Sequence, residues 1–149
     1  MNETKKIRWG ILATGRITHQ FVQDFRDVAN GEVTAVAARR QEAADEFAAE
    51  YSIAHAYGSY EAMLEDPEVD AVYIATPHTL HAKNTIDAVR AGKHVLCEKP
   101  FTVNLEESKE VFKVAGRSDV FVMEGMWTYF LPALPVSYTH LRAHETSSM

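Results

Sequence analysis

The chain has 149 residues, 46% hydrophobic and 24% charged, with a formal net charge of −6. That balance fits one globular domain and excludes intrinsic disorder, and its acidic sign argues against a nucleic-acid-binding surface. No apolar run approaches the roughly 20 residues that cross a bilayer. MNETKKIRWG has no signal-peptide core, and the single cysteine, Cys97, leaves no internal disulfide framework. The expectation is a soluble, cytoplasmic protein with neither nucleic-acid nor membrane partners.

In chain order, the apolar run Ile7 to Leu12 predicts a first strand. Ile17, Phe21, Phe25 and Val28 recur at helical spacing until Asn30-Gly31 ends that helix. Val33 to Ala38 predicts a second strand, and Ala43, Ala44, Phe47, Ala48 and Tyr51 form one face of a second helix. A short extended piece at His55–Tyr57 and a small helix from Tyr60 to Leu64 follow, closed by Asp66-Pro67.

The pattern then repeats. Ala71 to Ala75 is a strand, and Thr79 is the expected N-cap of a helix with Ala82, Ile86 and Val89 inward and Gly92 as its stop. His94 to Cys97 is another strand. Asn104 and Glu107 form a capping box for a helix with Val111, Phe112 and Ala115 inward, and Val120 to Met123 is the last strand. Strands without polar alternation, separated by helices, specify an α/β fold: a Rossmann-like, doubly wound parallel sheet covered on both faces. Ligands of such a sheet bind at the carboxyl ends of its strands. No linker interrupts residues 1–134, which read as one domain. The Ser- and Thr-rich stretch 135–149 breaks the style and reads as a foreign tail resembling a translated adapter, or else as a disordered terminus.

The first strand runs into Gly10-Ile11-Leu12-Ala13-Thr14-Gly15-Arg16-Ile17-Thr18. A dinucleotide turn needs small residues where backbone approaches a pyrophosphate, followed at once by a helix N-terminus. Gly15 fits the close approach, while Ala13 and Thr18 replace fingerprint glycines. The second strand ends in Ala38-Arg39-Arg40, where a site for NAD would place a carboxylate facing the ribose hydroxyls. Guanidinium groups there suit a 2′-phosphate, hence NADP in preference to NAD, and the position at the strand end favours this over ordinary solvated surface charge.

Thr76-Pro77-His78-Thr79-Leu80-His81 follows the fourth strand. Two histidines three apart lack the further ligands of a metal site, so no metal is expected, and the segment reads as a wall beside a cofactor. Glu98-Lys99-Pro100 ends the fifth strand, within the ligand crevice. A Lys placed there can exchange a proton with a substrate hydroxyl, or can simply pair with Glu98 at a strand end. Cys97 reads as a small buried hydrophobe.

WGILATGRI, AARR, AYGSYEAML, ATPHTLH and AGKHVLCEKPF, in this order, resemble the Gfo/Idh/MocA family of NAD(P)-dependent oxidoreductases, above all members acting on dihydrodiols and D-xylose. The resemblance covers about residues 5–134 and implies a nucleotide-binding Rossmann domain. It implies that Gly10, Ala13, Gly15, Arg16 and Ile17 meet the pyrophosphate, and that Arg39, with Ala38 and Arg40, meets the adenosine 2′-phosphate. Thr76, Pro77, His78 and His81 would run along the cofactor, and Glu98 and Lys99 would lie beside the nicotinamide, with Lys99 catalytic. Met126 to Phe130 resembles a segment near the substrate, pointing to Trp127, although Tyr129 stands where Arg is common. The family's C-terminal open-sheet domain, which supplies a second catalytic group and the dimer interface, has no counterpart here. The expected parent is an NADP-dependent dehydrogenase of a small sugar or diol, homo-oligomeric through that domain, and this chain alone would be inactive. The rival expectation is a non-catalytic nucleotide-binding module or sensor.

Overall fold

The computed structural model describes residues 6–130. The expected tail at 135–149, and Leu131 to Leu134 before it, lie outside the described residues. Six strands and five α-helices alternate: β1 (Ile7–Leu12), α1 (Arg16–Asp24), β2 (Gly31–Ala37), α2 (Gln41–Tyr51), β3 (His55–Tyr57) and α3 (Tyr60–Leu64). They continue as β4 (Ala71–Ile74), α4 (His81–Arg90), β5 (His94–Glu98), α5 (Leu105–Ala115) and β6 (Val122–Gly125). Every strand pairing is parallel, in the order β3-β2-β1-β4-β5-β6. The chain winds outward from β1 to one edge, then returns to build the other half from β4. The point where winding reverses, between β1 and β4, is where such a sheet opens a crevice.

One core joins Ile11, Val36 and Tyr73 of the sheet to Val22 of α1 and Phe47 of α2. The opposite core joins Leu12, Val72, Ile74, Val95 and Cys97 to Met63 of α3 and Ala88 and Val89 of α4. The expected two-sided cover is complete over β1, β2 and β4 but not at the β6 edge. On the α1 side β6 contributes no buried residue, and Phe121 just before it is 64% exposed.

The amino ends of the strands are pinned by charge. Arg8 of β1 grips Asp70 through Nε and Nη2 at 2.9 and 2.8 Å, and the buried Lys93 donates to the carbonyls of Asp66 and Val69. The carboxyl ends are left open. Gly10 sits in mid-strand, where an added Cβ would lie 2.9 Å from Met63 Sδ and 3.1 Å from Val69 Cγ1.

Several helix expectations change. Asn104 accepts from the Glu107 amide at 2.9 Å as the capping box requires, and Glu107 reaches back to the Val103 amide. Thr79 is not a cap. Pro77 opens a 3-10 turn, His78–Leu80, closed by the Leu80 amide on the Pro77 carbonyl, so α4 starts at His81 with Leu80 as its uncapped first flank. Phe112 is 59% exposed because α5 turns Val111 into the core, and a neighbour one residue on points about 100° away. α1 is rotated likewise, with Thr18 and Val22 buried and Ile17 exposed; it also ends at Asp24, and a 3-10 turn, Phe25–Asp27, leads to the exposed Val28.

Candidate functional site

A groove of about 930 Å³ opens at the carboxyl ends of β1, β2 and β4. Three amides extend the sheet to its rim: Ala13 donates to the Ala37 carbonyl, Ala38 to that of Tyr57 and Ala75 to that of Leu12. Ala13, Ala38 and Ala75 therefore form a small-residue floor, each one residue beyond its strand.

The turn from β1 into α1 forms one wall. Gly15 is the N-cap of α1 and supplies no side-chain bond to the helix amides, and a Cβ built on it meets nothing within 4 Å. The glycine thus leaves open space over a helix N-terminus, where backbone N–H groups and the helix dipole favour a negatively charged group. Ala13 holds φ = 84°, a left-handed conformation that glycine adopts more easily. Arg16 and Ile17 continue the wall, so the exposure of Ile17 has a local reason: it faces the groove and not the core.

Arg39 and Arg40 form the wall beyond β2, both exposed, and neither makes an ion pair among the described residues. Tyr60 of α3 stands with them; burial raises its phenol above the ordinary range while the Arg39 charge opposes the shift. Thr76, Pro77 and His78 close the groove from the β4 side. The groove therefore combines a floor without bulk, an uncapped helix start and two exposed guanidinium groups, a composition suited to a long, multiply anionic ligand.

The structure brings together Ala13, Gly15, Arg16, Ile17, Ala38, Arg39, Arg40, Thr76, Pro77 and His78. Gly10 is not among them; its lack of a side chain serves packing against Met63 and Val69. His81 is fully buried behind the wall, its Nδ1 2.8 Å from the Pro100 carbonyl and its Nε2 2.8 Å from that of Thr76. Both ring nitrogens therefore face main-chain carbonyls, and no group of three potential metal ligands occurs among the described residues.

Glu98 and Lys99 lie at the end of β5, next to the groove and outside its lining. Glu98 Oε1 accepts from the Tyr73 hydroxyl at 2.7 Å and Oε2 from the Lys99 amide at 3.1 Å, so the carboxylate is fixed at both ends. Burial and the adjacent carboxylate both raise the Tyr73 phenol, which stays a donor. Lys99 is exposed and its peptide bond to Pro100 is cis. Cys97 is buried, its thiol pushed up to about 12 by burial, which fits the expected hydrophobe. Trp127 is 63% exposed and lies outside the groove lining; the Tyr129 side chain is outside the described structure. Sequence reasoning missed Thr14, Ala43, Ala75 and Tyr60 as lining residues. Thr14, Ala75 and Tyr60 had a signal, their places in the WGILATGRI, ATPHTLH and AYGSYEAML blocks, whereas Ala43 had none.

Fold and groove together define a dinucleotide-type Rossmann domain. The family model described as an oxidoreductase family with an NAD-binding Rossmann fold matches residues 7–126, and the chain belongs to that family. It is 47% identical over 129 residues to trans-1,2-dihydrobenzene-1,2-diol dehydrogenase of Danio rerio, covering 85% of this chain and 39% of that protein. It is 41% identical over 135 residues to the NADP(+) scyllo-inositol 2-dehydrogenase IolU of Bacillus subtilis, covering 91% and 41%. A 3-ketoreductase from Actinomadura kijaniata, solved with NADP and TDP-benzene, superimposes with a TM-score of 0.87 at 32% identity, covering 93% of this chain and 44% of that one. The chain thus spans about two fifths of the length of the curated relatives it matches. No described helix is long and apolar enough to cross a membrane.

Proposed function

We propose that the groove binds NADP(H), in preference to NAD(H), and that this chain is the nucleotide-binding part of a dehydrogenase acting on a diol or sugar hydroxyl. The observation that carries the reading is the presence, in one groove, of the open Gly15 turn and of Arg39 and Arg40, neither ion-paired among the described residues. The cradle has room for such a group: a Cβ at Gly15 would meet no described protein atom within 4 Å. The Arg16 and Ile17 amides would hold the pyrophosphate, and Arg39, helped by Arg40, the 2′-phosphate. A relative solved with NADP and another named for NADP(+) support the choice of nucleotide.

When bound, the nucleotide supplies a hydride acceptor or donor. The residues of this chain do the rest. Glu98, fixed by Tyr73, braces the Lys99 amide at the strand end, and Lys99, exposed there, would in its neutral amine form take the proton from the substrate hydroxyl oxygen when the carbon bearing that oxygen gives up hydride. In this reading residues 1–134 form the nucleotide-binding unit and 135–149 lie outside it. The rest of the complete protein would add a wall to the substrate pocket and the oligomer contact, so the 149-residue chain should bind nucleotide without appreciable turnover. The test is Lys99→Met in the complete protein, assayed on dihydrodiols and aldoses. Turnover should fall by about 10²–10⁴, the usual range for a positioned acid or base, with NADP affinity kept. Near-normal turnover would make Lys99 a strand-end charge only.

A further inference from the structure

A fully buried imidazole must satisfy both of its nitrogens. Those of His81 meet the main-chain carbonyl oxygens of Thr76 and Pro100, each at 2.8 Å. A carbonyl only accepts, so a hydrogen bond to each of the two would need hydrogen on both ring nitrogens. The two carbonyls belong to separate loops. Thr76 follows β4 and lines the nucleotide groove; Pro100 follows β5, directly after Lys99.

The neighbours strengthen the link on each side. Asn84, one turn along α4, donates to the Thr76 hydroxyl at 2.9 Å, and both residues are buried. The His78 ring, on the groove wall, meets the His81 ring edge-on with centroids 5.4 Å apart. Beyond Pro100, the Phe101 amide donates to Glu124 Oε1 at 2.8 Å, which anchors the turn to β6. The α4 start therefore holds the groove wall with one nitrogen and the Lys99–Pro100 turn with the other.

We propose that His81 is a positioning residue, a buried two-ended donor that couples the Thr76–His78 wall to the Lys99–Pro100 turn. Occupation of the groove is then felt at the turn, and Lys99 stays in register with whatever the groove holds. The importance of that register for proton transfer rests on the function proposed above; the clip itself does not.

The experiment uses the 149-residue chain with nitrogen-15-labelled histidine, and two variants. In the wild-type protein the His81 ring should give an N–H-type signal at both Nδ1 and Nε2, each with a slowly exchanging proton; a bare nitrogen at either position would overturn the clip. His81→Phe keeps an aromatic ring and removes both donors, whereas His81→Gln keeps an amide donor. In His81→Phe, amide exchange at Phe101 should rise about tenfold, while Ile11 and Val72 at the sheet centre keep their rates; His81→Gln should restore part of the protection. Adding NADP should slow Phe101 exchange about threefold in the wild-type protein and leave it unchanged in His81→Phe. Exchange that rises equally at Phe101, Ile11 and Val72 would reduce His81 to a stability residue and refute the proposal. If His81→Phe does not fold, the wild-type ring signals decide alone. A chain with both ring N–H signals that binds no NADP would refute the nucleotide reading and leave the clip standing.

Discussion

Gly15→Ala separates binding from stability more cleanly than any other substitution in the groove. The native backbone there, φ −77° and ψ 174°, is open to any L-residue, and the new Cβ meets no protein atom within 4 Å. Two small effects on folding oppose each other. Fewer unfolded conformations favour alanine by about 0.4–1 kcal/mol, and alanine is a poorer N-cap than glycine by a similar amount. Stability should therefore stay within about 0.5 kcal/mol of wild type. Binding differs, because the methyl group projects into the space over the α1 amides. Displacing one charge-assisted hydrogen bond there costs about 1.5–3 kcal/mol, a loss of roughly 10- to 150-fold for NADP and NAD alike. Gly10→Ala is the counterpart: its Cβ would press on Met63 and Val69, destabilising the fold by about 1–3 kcal/mol, while surviving folded protein binds normally. Thermal unfolding and calorimetric titration of both variants give the four numbers needed. A Gly15→Ala protein that binds either nucleotide as tightly as wild type would refute the placement of the pyrophosphate.

Ala13→Gly should stabilise the chain by about 0.5–1 kcal/mol, seen as a melting point a few degrees higher, because φ = 84° strains an alanine and not a glycine; an unchanged or lower melting point would contradict it. Cys97, buried and with its thiol raised to about 12, should resist thiol reagents at pH 8 until the chain unfolds. Because its folded pKa lies above the unfolded value, its contribution to stability is complete below about pH 9 and declines from there toward about pH 12. Rapid labelling of folded protein at pH 8 would show that the thiol is accessible.

The central strands were legible because buried parallel strands are continuous apolar runs, as AVYI is, whereas the edge strand β6, expected at Val120 to Met123, lies two residues later at Val122–Gly125, where no residue is fully buried to fix the register. The groove was legible for a related reason: in a doubly wound sheet the residues just past each strand must converge, so Ala13, Ala38 and Thr76 could be grouped before any contact was known. Helix rotation was not legible to a single residue. Apolar spacing in α1 and α5 fits two faces about 100° apart, and packing on the sheet chose Thr18 over Ile17 and Val111 over Phe112. His81 was misplaced because ATPHTLH reads as one continuous wall, whereas the 3-10 turn after Pro77 carries its last residue into the core. Gly10 looked like a phosphate residue from its place in the motif, but the partners that require a glycine, Met63 and Val69, lie more than fifty residues along the chain. Tyr60 was marked by its block, but only the packing of α3 puts it in the groove within reach of the Arg39 charge.

The central claim is that Arg39 and Arg40 make this groove a site for a 2′-phosphorylated dinucleotide. Its most direct test is titration of the 149-residue chain and of Arg39→Ala with NADP and NAD under one salt condition. The wild-type chain should bind NADP at least about tenfold more tightly than NAD, since even an exposed guanidinium–phosphate bond falls near the lower end of about 1.5–3 kcal/mol. Arg39→Ala should remove most of that difference and leave NAD nearly untouched. Equal affinity for the two nucleotides in the wild-type chain, or equal losses for both in the variant, would contradict it.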